Sequence, residues 1–208
     1  MGGHLQGLER GVSTVAIGQF SAGEDKTANL REIERLAQTA AENRAEMLFL
    51  PEYSMYYAKV NARSKNIEAA ERCDGAFIIA LGELCRRYGL WIAAGMYERT
   101  DGLPYNTIAV LDDRGSLRGT HRKNRLYDAF GYRESDECRA GDKPFSPIEN
   151  PLENWVSLPA SSFGFRRWPP SRRRAAPRRC SFRRAGCRAK TSCCTGAPFC
   201  AREPSRMV

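Results

Sequence analysis

Acidic residues all but vanish from this chain after residue 160: residues 161–208 hold 12 Arg and Lys190 against a single acid, Glu203. Residues 1–160 carry 20 Lys plus Arg against 23 Asp plus Glu, so the net charge of +9 divides into −3 for the first part and +12 for the second. Any partner inferred from the basic character is therefore inferred from the second part alone. That part also lacks aliphatic side chains. Between Phe163 and Cys180 it runs FGFRRWPPSRRRAAPRRC, which offers nothing to build a buried strand or an amphipathic helix, and a disordered basic tail is expected. Its cysteines (Cys180, Cys187, Cys193, Cys194 and Cys200) include no C-x-x-C pair, and the chain has only His4 and His121. This pattern argues against a zinc site, and no cofactor is expected. Cys73, Cys85 and Cys138 are isolated and odd in number, which is no disulfide framework. Long apolar runs are missing too, including from Met1–Arg10, so neither a membrane span nor a signal peptide is expected, and the reading is cytoplasmic.

What is present in the first 160 residues is an alternation of strand and helix signals. Val12 to Phe20 (VSTVAIGQF) is rich in β-formers, and Thr27 to Asn43 places Leu30, Ile33, Leu36, Ala37 and Ala40 at helical spacing. Met47-Leu-Phe-Leu-Pro51 is short and wholly apolar, as a strand buried on both faces would be. A helix is predicted over Gly75 to Tyr88, closed by Gly89. Strands are predicted over Leu90–Tyr97, Tyr105–Leu111 and Ser116–His121, with turns at Asp101-Gly102 and Asp113-Arg-Gly115. The pattern is α/β, with no internal repeat.

Glu52 arrives where the second strand ends, and Lys123 where the last one does. Rigid strands that deliver charges to a sheet edge suit an active site. On position alone, however, the ordinary reading of each is a solvated charge. The surrounding wording changes the balance. Leu50-Pro51-Glu52-Tyr53, Tyr105-Asn106-Thr107, His121-Arg122-Lys123-Asn124-Arg125-Leu126-Tyr127-Asp128, and Tyr132-Arg133-Glu134-Ser135-Asp136 followed by Ala140-Gly141-Asp142 occur in that order. Together these motifs resemble the nitrilase superfamily of carbon-nitrogen hydrolases, over Val12 to about Asn150.

The resemblance implies an αββα sandwich of two mixed sheets with helices outside, of which this chain holds the first half. It also implies a general base at Glu52, an oxyanion-stabilising cation at Lys123 and a second carboxylate at Glu134 that orients the site. The reaction it implies is hydrolysis of a small amide or nitrile by a cysteine thiolate, in a protein that is a homo-oligomer when full length. Amide and nitrile carbons are poor electrophiles, so such chemistry needs an activated nucleophile, a proton acceptor and a fixed donor for the developing oxyanion. Tyr53, Tyr56, Tyr57 and Tyr127 could line a pocket, although tyrosines after a strand more often pack half-buried.

The nucleophile is the piece that is absent. The family pattern asks for a strand ending in Cys, within C-Y-D-L-R-F-P-E, near residue 160, and the chain reads Trp155-Val-Ser-Leu-Pro-Ala160 there. Cys138 comes too early and Cys180 follows an arginine run. A shift of reading frame entering between Ile148 and Trp155 accounts for both the loss and the tail. Trp155 to Arg167 can then be reread as G-V-S-A-C-F-V-L-R-L-P-E, Arg174 to Arg184 as R-G-A-E-A-V-L-V-P-A-G, and Cys194 to Met207 as H-W-R-T-L-L-R-A-R-A-I-E-N-G. A genuine Arg-rich extension stands as the alternative. The division is thus a partial hydrolase domain over 1–155 and a basic tail over 156–208. An inactive chain with unpaired sheet edges and an uncovered apolar face is expected. Two rival functions belong to other classes. Arginines interleaved with Phe163, Phe165, Trp168 and Phe182 could bind nucleic acid, although a solvated tail on an acidic domain is preferred. A non-catalytic nitrilase-like scaffold is the other.

Overall fold

The structure, a computed structural model, describes residues 13–59, 63–143, 148 and 151, together with the backbone of residues 180–185. Three parallel strands, β1 (Ser13–Gly18), β2 (Met47–Phe49) and β3 (Trp91–Glu98), form the centre of a mixed sheet. Antiparallel β4 (Tyr105–Leu111) and β5 (Leu117–Arg122) extend it on one side. Helix α1 (Lys26–Glu42) links β1 to β2, while α2 (Arg63–Ala69) and α3 (Ala76–Tyr88) lie between β2 and β3. A small hairpin, β6 (Asp128–Ala129) and β7 (Tyr132–Arg133), follows, and leads into a 3-10 turn over Glu134–Asp136. The last strand, β8 (Cys180–Ala185), pairs parallel with β1, so the six-stranded order is β5-β4-β3-β2-β1-β8.

The predicted elements of the first part are all found, within a residue or two at their ends. Two differences have physical causes. Helix α2 was not anticipated, because its seven residues RSKNIEA carry one large aliphatic and so no apolar stripe. β5 is not an apolar strand: LRGTHR at the edge of the described strands leaves most of its side chains in solvent and buries only His121. One strand, β8, lies within the tail expected to be disordered; the rest of that tail is outside the described residues.

The two faces of the sheet bury different things. One packs under α1 and α3, where Ile33, Leu36, Ala37, Phe77, Leu81 and Leu84 meet Ala16, Leu48, Ile92, Ala94, Met96, Ala109 and Leu111. The helices take this face because both are amphipathic with their apolar stripes at 3.6-residue spacing. By strand alternation, Val15, Met47, Ala93, Ile108 and Val110 form a second cluster on the opposite face, joined by Phe49, Trp91 and Ile148. These five side chains are buried, at 0–4 % exposure, so over them the expected uncovered face is not found. No helix among the described residues is long and apolar enough to cross a membrane.

Two details tie the helical layer to the loop after β2. Asp25 caps α1, its Oδ1 accepting from the amides of Thr27 (2.8 Å) and Ala28 (3.1 Å). One turn on, buried Asn29 donates through Nδ2 to the carbonyls of Gly23 (2.9 Å) and Met55 (3.1 Å). The helix start and the loop that carries Glu52 are thereby fastened together. Asp25→Ala removes the cap from two helical amides, and a loss of about 1 kcal/mol is expected in denaturant unfolding.

Candidate active site

The site forms at one end of the sheet, where β2, β3 and β5 finish and β4 begins, on the face turned away from the helices. Alternation puts Tyr97, Asn106 and Ile108 on that same face. Just past β2 the chain turns, and Pro51–Tyr53 lies directly on β3. A Cβ added at Gly95 would sit 2.5 Å from the Tyr53 nitrogen and 2.9 Å from the Glu52 Cα, a separation that only glycine permits. The Met55 amide then donates to the Gly95 carbonyl at 3.0 Å, pinning the loop. Tyr53 itself adopts φ +61°, an unfavourable conformation for a residue with a Cβ.

Lys123 follows β5, and its amide donates to the Asn106 carbonyl at 2.8 Å, which extends the β4–β5 ladder by one residue and fixes the side chain over the face. Glu134 is delivered by the hairpin. Phe130 and Gly131 at its tip have φ +53° and +81°, and the two-residue turn returns the chain so that the Glu134 amide donates to the Tyr127 carbonyl.

These three side chains, far apart in the chain, meet. The Lys123 ammonium donates to Glu52 Oε1 at 2.9 Å and to Glu134 Oε1 at 2.9 Å, with Glu134 Oε2 at 2.8 Å. Lys123 and Glu134 are buried, their side chains 5 % and 2 % exposed, while Glu52 is 30 % exposed. The structure therefore brings together all three residues singled out in the sequence. Two others complete the cluster: Asn106, which was not anticipated in any role, and Tyr53, which was expected only as a pocket-lining candidate. Asn106 Nδ2 lies 2.5 Å from Glu52 Oε1, 2.8 Å from the Tyr53 hydroxyl and 3.1 Å from Glu134 Oε1. Tyr53 donates its hydroxyl proton to Glu134 Oε1 at 2.7 Å, and the Tyr127 amide donates to Glu134 Oε2 at 2.7 Å. The only sequence signal for them was their place inside the quoted motifs.

Burial alone would drive Glu134 towards its neutral form, but Lys123, the Tyr127 amide, Tyr53 and Asn106 all stabilise the anion. Its carboxyl is held below the usual carboxylate range. Lys123 is subject to the same desolvation, and the two carboxylates outweigh it and hold the ammonium above its usual range. The trio is thus a fixed cation between two anions, with Glu52 facing the more open side.

No thiol among the described residues is poised to act with it. Burial pushes Cys73 up to about 11, Cys85 up to about 12 and Cys138 up to about 12. Cys138 does come close to Tyr53 and Glu134, because its amide bonds to the Glu134 carbonyl and its side chain is buried in the core. At 2 % exposure it is closed to a substrate. No group of three or more His, Cys, Asp and Glu among the described residues could hold a metal ion.

Tyrosines surround the trio. Tyr53 packs on Tyr97 at 4.9 Å between ring centroids and on Tyr57 at 6.0 Å, and Tyr127 on Tyr132 at 6.3 Å. Tyr56 is buried at 7 % and belongs to the core, whereas Tyr57 and Tyr127 are exposed beside the site.

Two outcomes follow from this geometry. Gly95→Ala sets a methyl against the backbone of Glu52 and Tyr53, so about 1–3 kcal/mol of stability should be lost in denaturant unfolding, with Glu52 displaced from Lys123. The second concerns pH. Because the folded Glu134 carboxyl is depressed, its contribution is present above the ordinary carboxylate pKa of about 4.3 and is lost as pH falls through the lower folded value. The raised Lys123 contributes below about pH 10.4 and loses its contribution as pH rises past that. The stability advantage of the wild type over Glu134→Gln should therefore be constant near neutrality and shrink as pH falls through and below the ordinary carboxylate range in urea titrations.

Comparison with known proteins supplies the family. A model of the carbon-nitrogen hydrolase family matches residues 14–157. The chain is 32 % identical over 145 residues to the nitrilase and fragile histidine triad fusion protein NitFhit of Drosophila melanogaster, covering 67 % of this chain and 31 % of that protein. It is 33 % identical over 133 residues to a citrullinase of Francisella tularensis, covering 63 % of this chain and 46 % of the relative. Among solved structures, the Caenorhabditis elegans NitFhit protein superposes with a TM-score of 0.61 at 24 % identity, over 67 % of this chain and 36 % of that one. The chain spans between about a third and a half of the length of these proteins. Sheet, helices and the matched segment agree, and the chain belongs to the carbon-nitrogen hydrolase family of the nitrilase superfamily.

Proposed function

We propose that this chain carries two of the three working groups of a thiol-dependent amidase for small amides: Glu52 as general base and Lys123 as oxyanion stabiliser, with Glu134 orienting the ammonium. The observation that carries the reading is the meeting of Lys123 with both carboxylates at 2.9 Å, from positions 71 and 11 residues away. In the completed enzyme a cysteine thiol gives its proton to Glu52, and the thiolate attacks the carbonyl carbon. The oxyanion that forms is held by Lys123. Glu52 then returns the proton to the departing nitrogen, leaving an acyl thioester, and takes a proton from the water that hydrolyses it. Each group must be in its working state at neutral pH, and a charged Lys123 fixed by an ionised Glu134 meets that need.

The nucleophile belongs to the part of the sequence that has lost the family pattern, and a shifted reading frame entering between Ile148 and Trp155 is the reading we favour for it. It restores a cysteine across the Pro159 and Ala160 codons. Strand β8 also overlaps the stretch that the shifted frame reads as V-L-V-P-A-G, which is richer in aliphatic β-formers than CSFRRA. On this reading 1–155 is a partial domain, the αββα sandwich is half built, and the chain as written does not turn over substrate.

The DNA and the repaired protein test these statements separately. Sequencing from codon 140 should show that one or two inserted or deleted bases open a frame continuing well beyond codon 208; stop codons soon after codon 160 in both other frames would make the tail genuine. In the frame-repaired protein, Glu52→Gln and Lys123→Met should each cost ~2 to 4 kcal/mol of transition-state stabilisation towards small amides, a drop of about 30- to 1000-fold in kcat/KM. The double variant should lose less than the sum of the two. Near-full activity in a folded Glu52→Gln protein would remove Glu52 from the role of base, and a repaired protein with no amidase activity at all would leave a binding scaffold.

A further inference from the structure

We propose that Asn106 and Tyr53 are positioning residues that divide labour between the two carboxylates, holding Glu134 as a permanent anion and leaving one oxygen of Glu52 free to take a proton. This assignment rests on the reading of Glu52 as the base and adds the groups that make it so.

The asymmetry is in the donor count. Glu134 Oε1 receives Lys123 (2.9 Å), Tyr53 (2.7 Å) and Asn106 (3.1 Å), and its Oε2 receives the Tyr127 amide at 2.7 Å and lies 2.8 Å from Lys123. Every lone pair that could take a proton is already committed. Glu52, by contrast, has both its contacts on Oε1, from Lys123 at 2.9 Å and Asn106 at 2.5 Å, and its Oε2 has no protein partner among the described residues. That oxygen belongs to the more exposed of the two carboxylates. Two carboxylates share one ammonium, and the surrounding donors favour the anion at Glu134.

Asn106 stands at the centre of this division. An amide nitrogen has two hydrogens and here faces three acceptors, so it bridges the two carboxylates and the tyrosine rather than serving one of them. Its own Oδ1 is buried without a partner, in a side chain 0 % exposed. A buried carbonyl without a donor is unfavourable, and an apolar residue on this all-buried strand would avoid it. The same holds for Tyr53, whose positive φ is unfavourable in its own right and which brings the hydroxyl to Glu134. Neither residue fits a purely structural role. Tyr132, Cys138 and Glu137 also lie near Glu134, and Asp128 faces its backbone amide.

The test reads proton affinity and needs no turnover, so it is separate from the assignment of Glu52 and from frame repair. The 208-residue chain, labelled with 13C at the glutamate carboxyls, is titrated by NMR, with the Glu134 signal assigned through Glu134→Gln. The wild-type signal should titrate below the ordinary carboxylate range. Tyr53→Phe removes one hydroxyl donor and should raise the Glu134 midpoint by about one pH unit or more. Asn106→Leu, similar in volume, should raise it as well, and Asn106→Ser serves if the leucine does not fold. Unchanged midpoints in folded variants, with only the melting temperature lowered, would overturn the proposal. Loss of the dispersed amide spectrum in Tyr53→Phe and both Asn106 variants would overturn it too, because the residues would then serve the fold and not the titration.

Discussion

A single ammonium shared by two carboxylates is the constraint on which this structure turns. Lys123 and Glu134 are almost fully withdrawn from water, and ions in such a place are tolerated only when each is paired and its remaining hydrogen-bonding capacity is met. One cation cannot balance two anions, so the excess negative charge is spread over neutral donors: the Asn106 amide, the Tyr53 hydroxyl and the Tyr127 backbone N–H. Removing any one of these leaves a buried charge under-compensated. The site is therefore a network and not a set of independent side chains, and its parts come from four separate segments of the chain.

Much of the surrounding backbone is arranged to let those segments meet. Gly95 allows the Glu52 turn to rest on β3, the β4–β5 ladder extends to set Lys123, and a hairpin tipped by Phe130-Gly131 returns Glu134 to the same place. On the helical side, Asn29 holds the Met55 carbonyl and so steadies the loop after β2 from behind. A second ion pair on the other face, Arg122 with Glu98, is supported by Thr107, and Arg122 stacks 4.4 Å from the Tyr105 ring centroid. It closes the same end of the sheet. Sheet ends of this kind supply rigid anchoring with open space beyond, which is what a site for a small substrate requires.

The thiols show how environment decides chemistry. Cys138 lies beside two of the site's side chains, and its thiolate is disfavoured because burial and the neighbouring Glu134 and Glu137 carboxylates outweigh the Tyr53 hydrogen bond and the Lys123 charge. On the proposed mechanism, the nucleophile needs exposure towards Glu52. The family's pattern puts one near residue 160, where this sequence reads Leu158-Pro159-Ala160.

By itself the sequence determined the elements and the residue types at their ends. Apolar periodicity marked the two long helices and the strands, Gly89 and the turn dipeptides marked their boundaries, and the ordered motifs named Glu52, Lys123 and Glu134. It could not reveal α2, which has no apolar stripe, nor the exposure of β5, because edge position is a property of the sheet and not of the strand. Nor could it reveal that Asn106 and Tyr53 join the trio. A side chain's neighbours across 54 or 81 residues depend on strand register and on the close approach at Gly95, and both are decided only when the sheet assembles. Charge states followed the same rule: Glu134 and Lys123 depart from their ordinary proton affinities only because tertiary packing removes water and substitutes fixed partners, a change that no local stretch of sequence can produce.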